Sequence, residues 1–120
     1  MGPRKRHILI VEDDEAIREG LEQLVEEAGY VSSGASNGAH ALEQLRGGVR
    51  PAVILLDLMM PVMNGWDFRN AQLEDPELAG IPVVVLSAFG EDAAAAAADE
   101  VLPKPFTVAE LVDVLHRIAP

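Results

Sequence analysis

Four places in this chain set a chemically useful side chain directly after an apolar run or between two prolines. Glu12, Asp13 and Asp14 follow Ile8–Val11, Asp57 follows Val53–Leu56, Ser87 follows Val83–Leu86, and Lys104 stands between Pro103 and Pro105. Carboxylates brought within a few ångströms of one another repel, and at least one is pushed to protonate unless a cation intervenes. Mg²⁺ fits that need, because it takes oxygen ligands, uses one or two protein carboxylates and completes its shell with water and phosphate oxygens. Lys104 supplies a second, fixed positive charge. A carboxylate beside Mg²⁺, Lys and Ser is suited to receiving a phosphoryl group: metal and Lys neutralise the equatorial oxygens, and the hydroxyl binds one of them.

Each of these residues has an ordinary reading when taken alone. Acids at 12–14 can cap a following helix and complement its dipole, and Asp14 is assigned that role here. A Ser at a strand end is common, and a Lys is by default a solvated charge. The combination favours a site, since an acid ending a wholly apolar strand faces the ligand crevice and flanking prolines aim Lys104. Pro61 and Gly65 are read as shaping the loop after Asp57. His7, His40 and His116 have no metal-like spacing and are assigned to surface or edge positions. Trp66 and Phe68 are expected to pack a helix onto the sheet.

The elements that must position these residues follow from the apolar pattern. Ile8–Val11, Val53–Leu56 and Val83–Leu86 are apolar throughout, as expected of parallel strands buried on both faces. Tyr30–Ala35 and the short Val101–Leu102 complete a set of five. Between them run helical stripes: Ile17, Leu21, Leu24, Val25 and Ala28; Ala39, Leu42 and Leu45, stopped by Gly47-Gly48; a helix after Gly65 ending before Pro76; and Val108, Leu111, Val112, Leu115 and Ile118. Gly29 is read as a helix stop. Alternation of strand and helix implies a doubly wound α/β fold, a parallel sheet with helices on both faces. Ligands of such sheets sit beyond the carboxyl ends of the strands, where the strand order reverses.

Composition narrows the function classes. The 120 residues predict one domain, with 1–6 a basic leader and 7–120 the folded unit. Nine Lys+Arg against 20 Asp+Glu give a formal charge of −11, which opposes nonspecific binding to nucleic acid or an anionic membrane. The run Arg4-Lys5-Arg6 is too short to propose otherwise. Hydrophobic residues at 49% allow a core, and the absence of Cys removes disulfides, thiolate chemistry and Cys-ligated zinc. No apolar run approaches a membrane span, and no signal peptide is evident.

The chain resembles the receiver domain of two-component response regulators over essentially its whole length. The resemblance rests on Ile-Leu-Ile-Val-Glu-Asp-Asp (8–14), Asp-Leu-Met-Met-Pro-Val-Met-Asn-Gly (57–65), Leu-Ser-Ala (86–88) and Leu-Pro-Lys-Pro-Phe (102–106). It implies a flavodoxin-like (βα)5 fold with strand order 2-1-3-4-5. Asp57 would be the phosphoacceptor, attacking a phosphohistidine on a sensor histidine kinase or phosphotransfer protein. Asp13, Asp57 and the Met59 backbone carbonyl would bind Mg²⁺, with Glu12 acting through water. Ser87, the Ala88 backbone N–H and Lys104 would hold the phosphoryl oxygens, and the Lys104–Pro105 peptide would be cis. The domain would be cytoplasmic, a monomer or weak homodimer, and not an enzyme beyond its own phosphorylation and dephosphorylation. It would stand alone or form part of a longer protein.

The chain departs from the family in two places. The segment between Ser87 and Lys104 is shorter than usual by about one helical turn or somewhat more, so the fourth helix is expected to be truncated to roughly Glu91–Ala98, a stub or mobile segment. Val101 stands where the family usually has an aromatic that reorients on phosphorylation, so signalling through a reduced switch or another surface is expected. Met59 and Phe89 flank the site as bulky apolar groups, which predicts slow attack by water on the phosphoform. Two rival readings are a pseudo-receiver that binds partners without phosphorylation and a haloacid-dehalogenase-type phosphatase. The latter needs an acid two residues after its nucleophile, where this chain has Met59.

Overall fold

The computed structural model describes residues 5–88 and 91–120. Five strands run parallel in the order β2-β1-β3-β4-β5. They are β1 (His7–Val11), β2 (Val31–Ala35), β3 (Val53–Asp57), β4 (Val83–Ser87) and β5 (Glu100–Pro103). Four α-helices connect or follow them: α1 (Glu15–Glu27), α2 (Gly38–Arg46), α3 (Gly65–Glu74) and α4 (Val108–Ile118).

The apolar runs are continuous because alternate residues serve two cores. Leu9, Val11, Ile54, Leu56, Val83 and Val85 meet Leu42, Leu45 and Phe68 from α2 and α3 on one face of the sheet. Ile8, Ile10, Val53, Leu55, Val84 and Leu86 meet Leu21, Val25, Leu111 and Leu115 from α1 and α4 on the other. Period two along a strand sends neighbours to opposite faces, so both sets must be apolar when helices cover both. Burying each such side chain is worth roughly 1.5–3 kcal/mol.

Side-chain caps set the helix starts. Asp14 accepts from the Ile17 N–H at 3.0 Å, Asn37 from His40 at 2.9 Å, and Asn64 from Asp67 at 2.8 Å. Thr107 and Glu110 form a reciprocal capping box at the start of α4. After α1, Gly29 takes φ +100°, a conformation that glycine adopts without strain.

The fourth helix is truncated to a stub, as the sequence predicts, and is shorter than the expected bounds. Instead of a helix over Glu91–Ala98 there is one 3₁₀ turn, Ala93–Ala96, capped by Asp92 and ended by Ala97 in the left-handed region at φ +49°. Alanine favours helix, but this run buries little area: Ala96 alone is fully buried in the core, with Ala93 and Ala98 partly buried against it. The turn is held from outside. Arg69 of α3, only 5% exposed, donates to the carbonyls of Ala96 (3.2 Å) and Ala97 (2.8 Å) and to Gln72 Oε1 (2.8 Å). Trp66, also on α3, donates its indole N–H to the Asp92 carbonyl at 2.8 Å. Among the described residues, no helix is long and apolar enough to cross a membrane.

Candidate functional site

Strand register brings the polar strand ends together. Val11 pairs with Leu56, which sets Glu12 beside Asp57 across the β1/β3 boundary. This boundary is where the strand order reverses, the crevice position of an open parallel sheet. Asp57 pairs with Leu86 and Ser87 with Pro103, so the next strands deliver Ser87 and Lys104 to the same edge. The Lys104 N–H donates to the Ser87 carbonyl at 2.7 Å, and the Lys104–Pro105 peptide is cis.

The carboxylates of Glu12, Asp13 and Asp57 offer oxygens that all lie within 4.8 Å of one another. Glu12 and Asp57 are buried, at 4% and 6% exposure, while Asp13 is exposed. Among the described residues, the cation joined to this group is Lys104, whose Nζ lies 3.3 Å from Asp57 Oδ1. Burial, then the neighbouring Asp57, pushes the Glu12 carboxyl up to about 8, with Asp13 adding to the effect and Lys104 opposing it. Glu12 Oε2 is buried without a hydrogen-bond partner. Three hard oxygen donors, a repulsion that one ammonium does not cancel and an orphaned buried oxygen together suit a divalent cation such as Mg²⁺.

The surrounding backbone is tightly specified. A Cβ on Gly65 would lie 2.7 Å from the Asp57 carbonyl oxygen and 2.8 Å from Leu58 Cα, so only glycine lets α3 start against the end of β3. The Gly65 N–H closes the loop by donating to the Leu58 carbonyl at 2.8 Å. Arg18 of α1 donates to the Glu12 carbonyl at 2.8 Å, fixing the acidic segment from the helix side.

The other residues singled out in the sequence fall as follows. Ser87 ends β4 at 9% exposure, and the Ala88 N–H donates to the Glu91 carboxylate. Met59 is 62% exposed on the loop after β3, and Val101 is exposed on β5. Phe89 lies outside the described residues. His7 is part-buried and hydrogen-bonds Ser33 Oγ at 2.6 Å. Sequence reading missed Arg18, Arg69, Gln72 and Glu91. Arg69 and Gln72 lie three apart on a weakly amphipathic helix, where that spacing is the only hint that both point inward.

Comparison with known proteins agrees with this geometry. Residues 8–116 match the response regulator receiver domain family. The chain is 31% identical to the chemotaxis protein CheY of Thermotoga maritima, over 95% of this chain and 98% of that protein. It is 36% identical to a transcriptional regulatory protein CpxR homolog of Haemophilus influenzae, covering 92% of this chain and 49% of that protein, so it spans about half the length of that relative. The receiver domain of sensor histidine kinase PA1611 from Pseudomonas aeruginosa superposes with a TM-score of 0.88 at 25% identity, covering 96% of this chain and 98% of that one. Its structure has a magnesium ion coordinated in the active-site cleft.

Proposed function

Because the chain belongs to the response regulator receiver domain family of two-component signalling, we propose that Asp57 accepts a phosphoryl group from a sensor histidine kinase or phosphotransfer protein. The observation that carries this reading is the convergence at one sheet edge of Asp57, the acids Glu12 and Asp13, and the Lys104 ammonium 3.3 Å from Asp57. An Asp57 carboxylate oxygen attacks phosphorus as the bond to the donor imidazole nitrogen breaks, and the electron pair returns to that nitrogen. The product is an aspartyl phosphate.

Asp13, Asp57 and the Met59 backbone carbonyl would hold Mg²⁺, with Glu12 acting through water. When bound, the ion would neutralise charge on the transferring group. Lys104 leaves its pairing with Asp57 for the phosphoryl group, and Ser87 donates its hydroxyl to a phosphoryl oxygen, helped by the Ala88 backbone N–H. A groove of about 290 Å³ beside the site, lined by Ile17, Leu21, Leu86 and Phe106, would receive the donor protein. Phosphorylation would switch the binding of a downstream protein partner rather than turn over an independent substrate, and the reading places the domain in the cytoplasm.

The test is incubation with acetyl phosphate and Mg²⁺, followed by intact mass measurement of the wild type and Asp57→Ala. A stable phosphate adduct that requires Asp57 is the expected result. No adduct supports a pseudo-receiver that binds without phosphorylation. Continuous release of phosphate over many turnovers supports a haloacid-dehalogenase-type phosphatase.

A further inference from the structure

We propose that Glu91 is an internal competitor for the phosphoryl group, a carboxylate that occupies the backbone donor which a phosphoryl oxygen on Asp57 would use. The inference rests on the phosphoacceptor reading above. Two of the donors around the site are already engaged by carboxylates of the chain itself: Lys104 Nζ with Asp57, and the Ala88 N–H with Glu91. The first pairing opens when the phosphoryl group arrives on the same aspartate. The second does not, because Glu91 comes from a different segment and keeps its own charge.

Glu91 is held in this position by contacts on both sides of it. Its backbone N–H donates back to the Ala88 carbonyl at 3.3 Å, closing a reciprocal loop. The next residue, Asp92, gives its carbonyl to the Trp66 indole at 2.8 Å and its side chain to the Ala95 N–H at 3.3 Å. Arg69 then fixes the carbonyls of Ala96 and Ala97. The carboxylate is thus presented to Ala88 by a segment anchored on α3, the helix that starts against the end of β3.

A backbone N–H makes one strong hydrogen bond. A phosphoryl oxygen can take the Ala88 donor only after Glu91 has left, and the two anions repel at close range. Phosphorylation therefore expels Glu91 and pulls on Asp92, whose carbonyl is the partner of Trp66. The conformational response is local, carried by Glu91 and Asp92, and is read at Trp66. It needs no aromatic at position 101, so it supplies a reduced switch in a chain that has Val101 there.

The test is a titration of the full chain with beryllofluoride, a stand-in for the phosphoryl group, at saturating Mg²⁺, followed by Trp66 emission. The wild type, Glu91→Gln and Glu91→Ala are compared, and Mg²⁺ affinity is measured separately. Glu91→Ala is expected to tighten beryllofluoride binding by about tenfold, the scale of one charge-assisted hydrogen bond. Glu91→Gln, which keeps an acceptor but loses the charge, should fall between it and the wild type. Mg²⁺ affinity should not change. Unchanged or weaker beryllofluoride binding in both variants overturns the inference alone. Failure of the wild type to bind beryllofluoride at all overturns the phosphoacceptor reading and this inference with it.

Discussion

Replacing Glu12 by Gln should stabilise the metal-free protein, and the gain should grow with pH. The Glu12 carboxyl is pushed from its ordinary 4.5 up to about 8 by burial and by Asp57. Between these values the unfolded chain ionises Glu12 while the folded chain keeps its proton, so the folded state binds more protons. Stability from this group is complete below pH 4.5 and is lost as pH rises through 8. At 1.36 kcal/mol per unit, the loss is about 3 kcal/mol by pH 7 and about 5 kcal/mol above pH 8. For a chain of this size, 3 kcal/mol corresponds to a Tm change of order 10 °C. His7 works in the opposite sense: burial lowers its pKa, so its contribution is present at high pH and lost as pH falls. Both proteins carry His7, and their difference isolates Glu12. Thermal unfolding at pH 5.5, 7.0 and 8.5 in EDTA should show the Glu12→Gln advantage widening across the series. Mg²⁺ at ten times its Kd should restore about 1.4 kcal/mol to the wild type, and should help the variant less. A constant Tm difference across the three pH values, or one that narrows, would refute the assignment of the strained charge to Glu12.

Other substitutions test the supports of the site. Gly65→Ala should cost roughly 1–3 kcal/mol and slow labelling by acetyl phosphate, because the new Cβ collides with the Asp57 and Leu58 backbone; denaturant unfolding and intact mass check the two effects. Arg69→Met leaves the Ala96 and Ala97 carbonyls and Gln72 Oε1 without their donor. It should lower stability by about 2–4 kcal/mol and hasten proteolysis within 93–99, measured by limited digestion. Met59→Asn should shorten the lifetime of the aspartyl phosphate several-fold by giving water a polar foothold, read as decay of the phosphate adduct; an unaltered decay counts against the shielding role. With Val101 on β5, amide chemical shifts of residues 100–103 should move little on beryllofluoride binding, and a large rearrangement there would contradict a reduced switch.

Much of the architecture was legible because doubly buried parallel strands leave a plain mark. Leu9 and Ile10 need apolar partners on opposite faces, so the run containing them cannot alternate. The chemistry was legible for a related reason, since a wholly apolar strand that ends in Asp57 has one place for that charge to go. The fourth crossover was harder. Helix propensity of Ala93–Ala98 speaks to the chain in isolation, whereas the observed turn depends on Arg69 and Trp66 reaching it from α3. Arg69 finds its partners only when the turn is placed over it, and Gln72 only when the chain after α3 brings up the Leu78 and Ile81 carbonyls. Glu91 leaves no periodic signal, because its partner is a backbone N–H fixed by loop path and not by side-chain type.

The Arg69 clamp sets a difference in sensitivity between two neighbouring parts of the molecule. A guanidinium gives up no proton at any pH that leaves the chain folded, and the carbonyls it holds do not titrate. The grip of Arg69 on the Ala96 and Ala97 carbonyls is therefore indifferent to acidity, while the charge of the Glu12 carboxyl beyond the end of β1 follows it closely. Acidity tunes the acidic pocket and leaves the Arg69 clamp untouched, so this anchor of the segment on α3 does not depend on the charge state of Glu12.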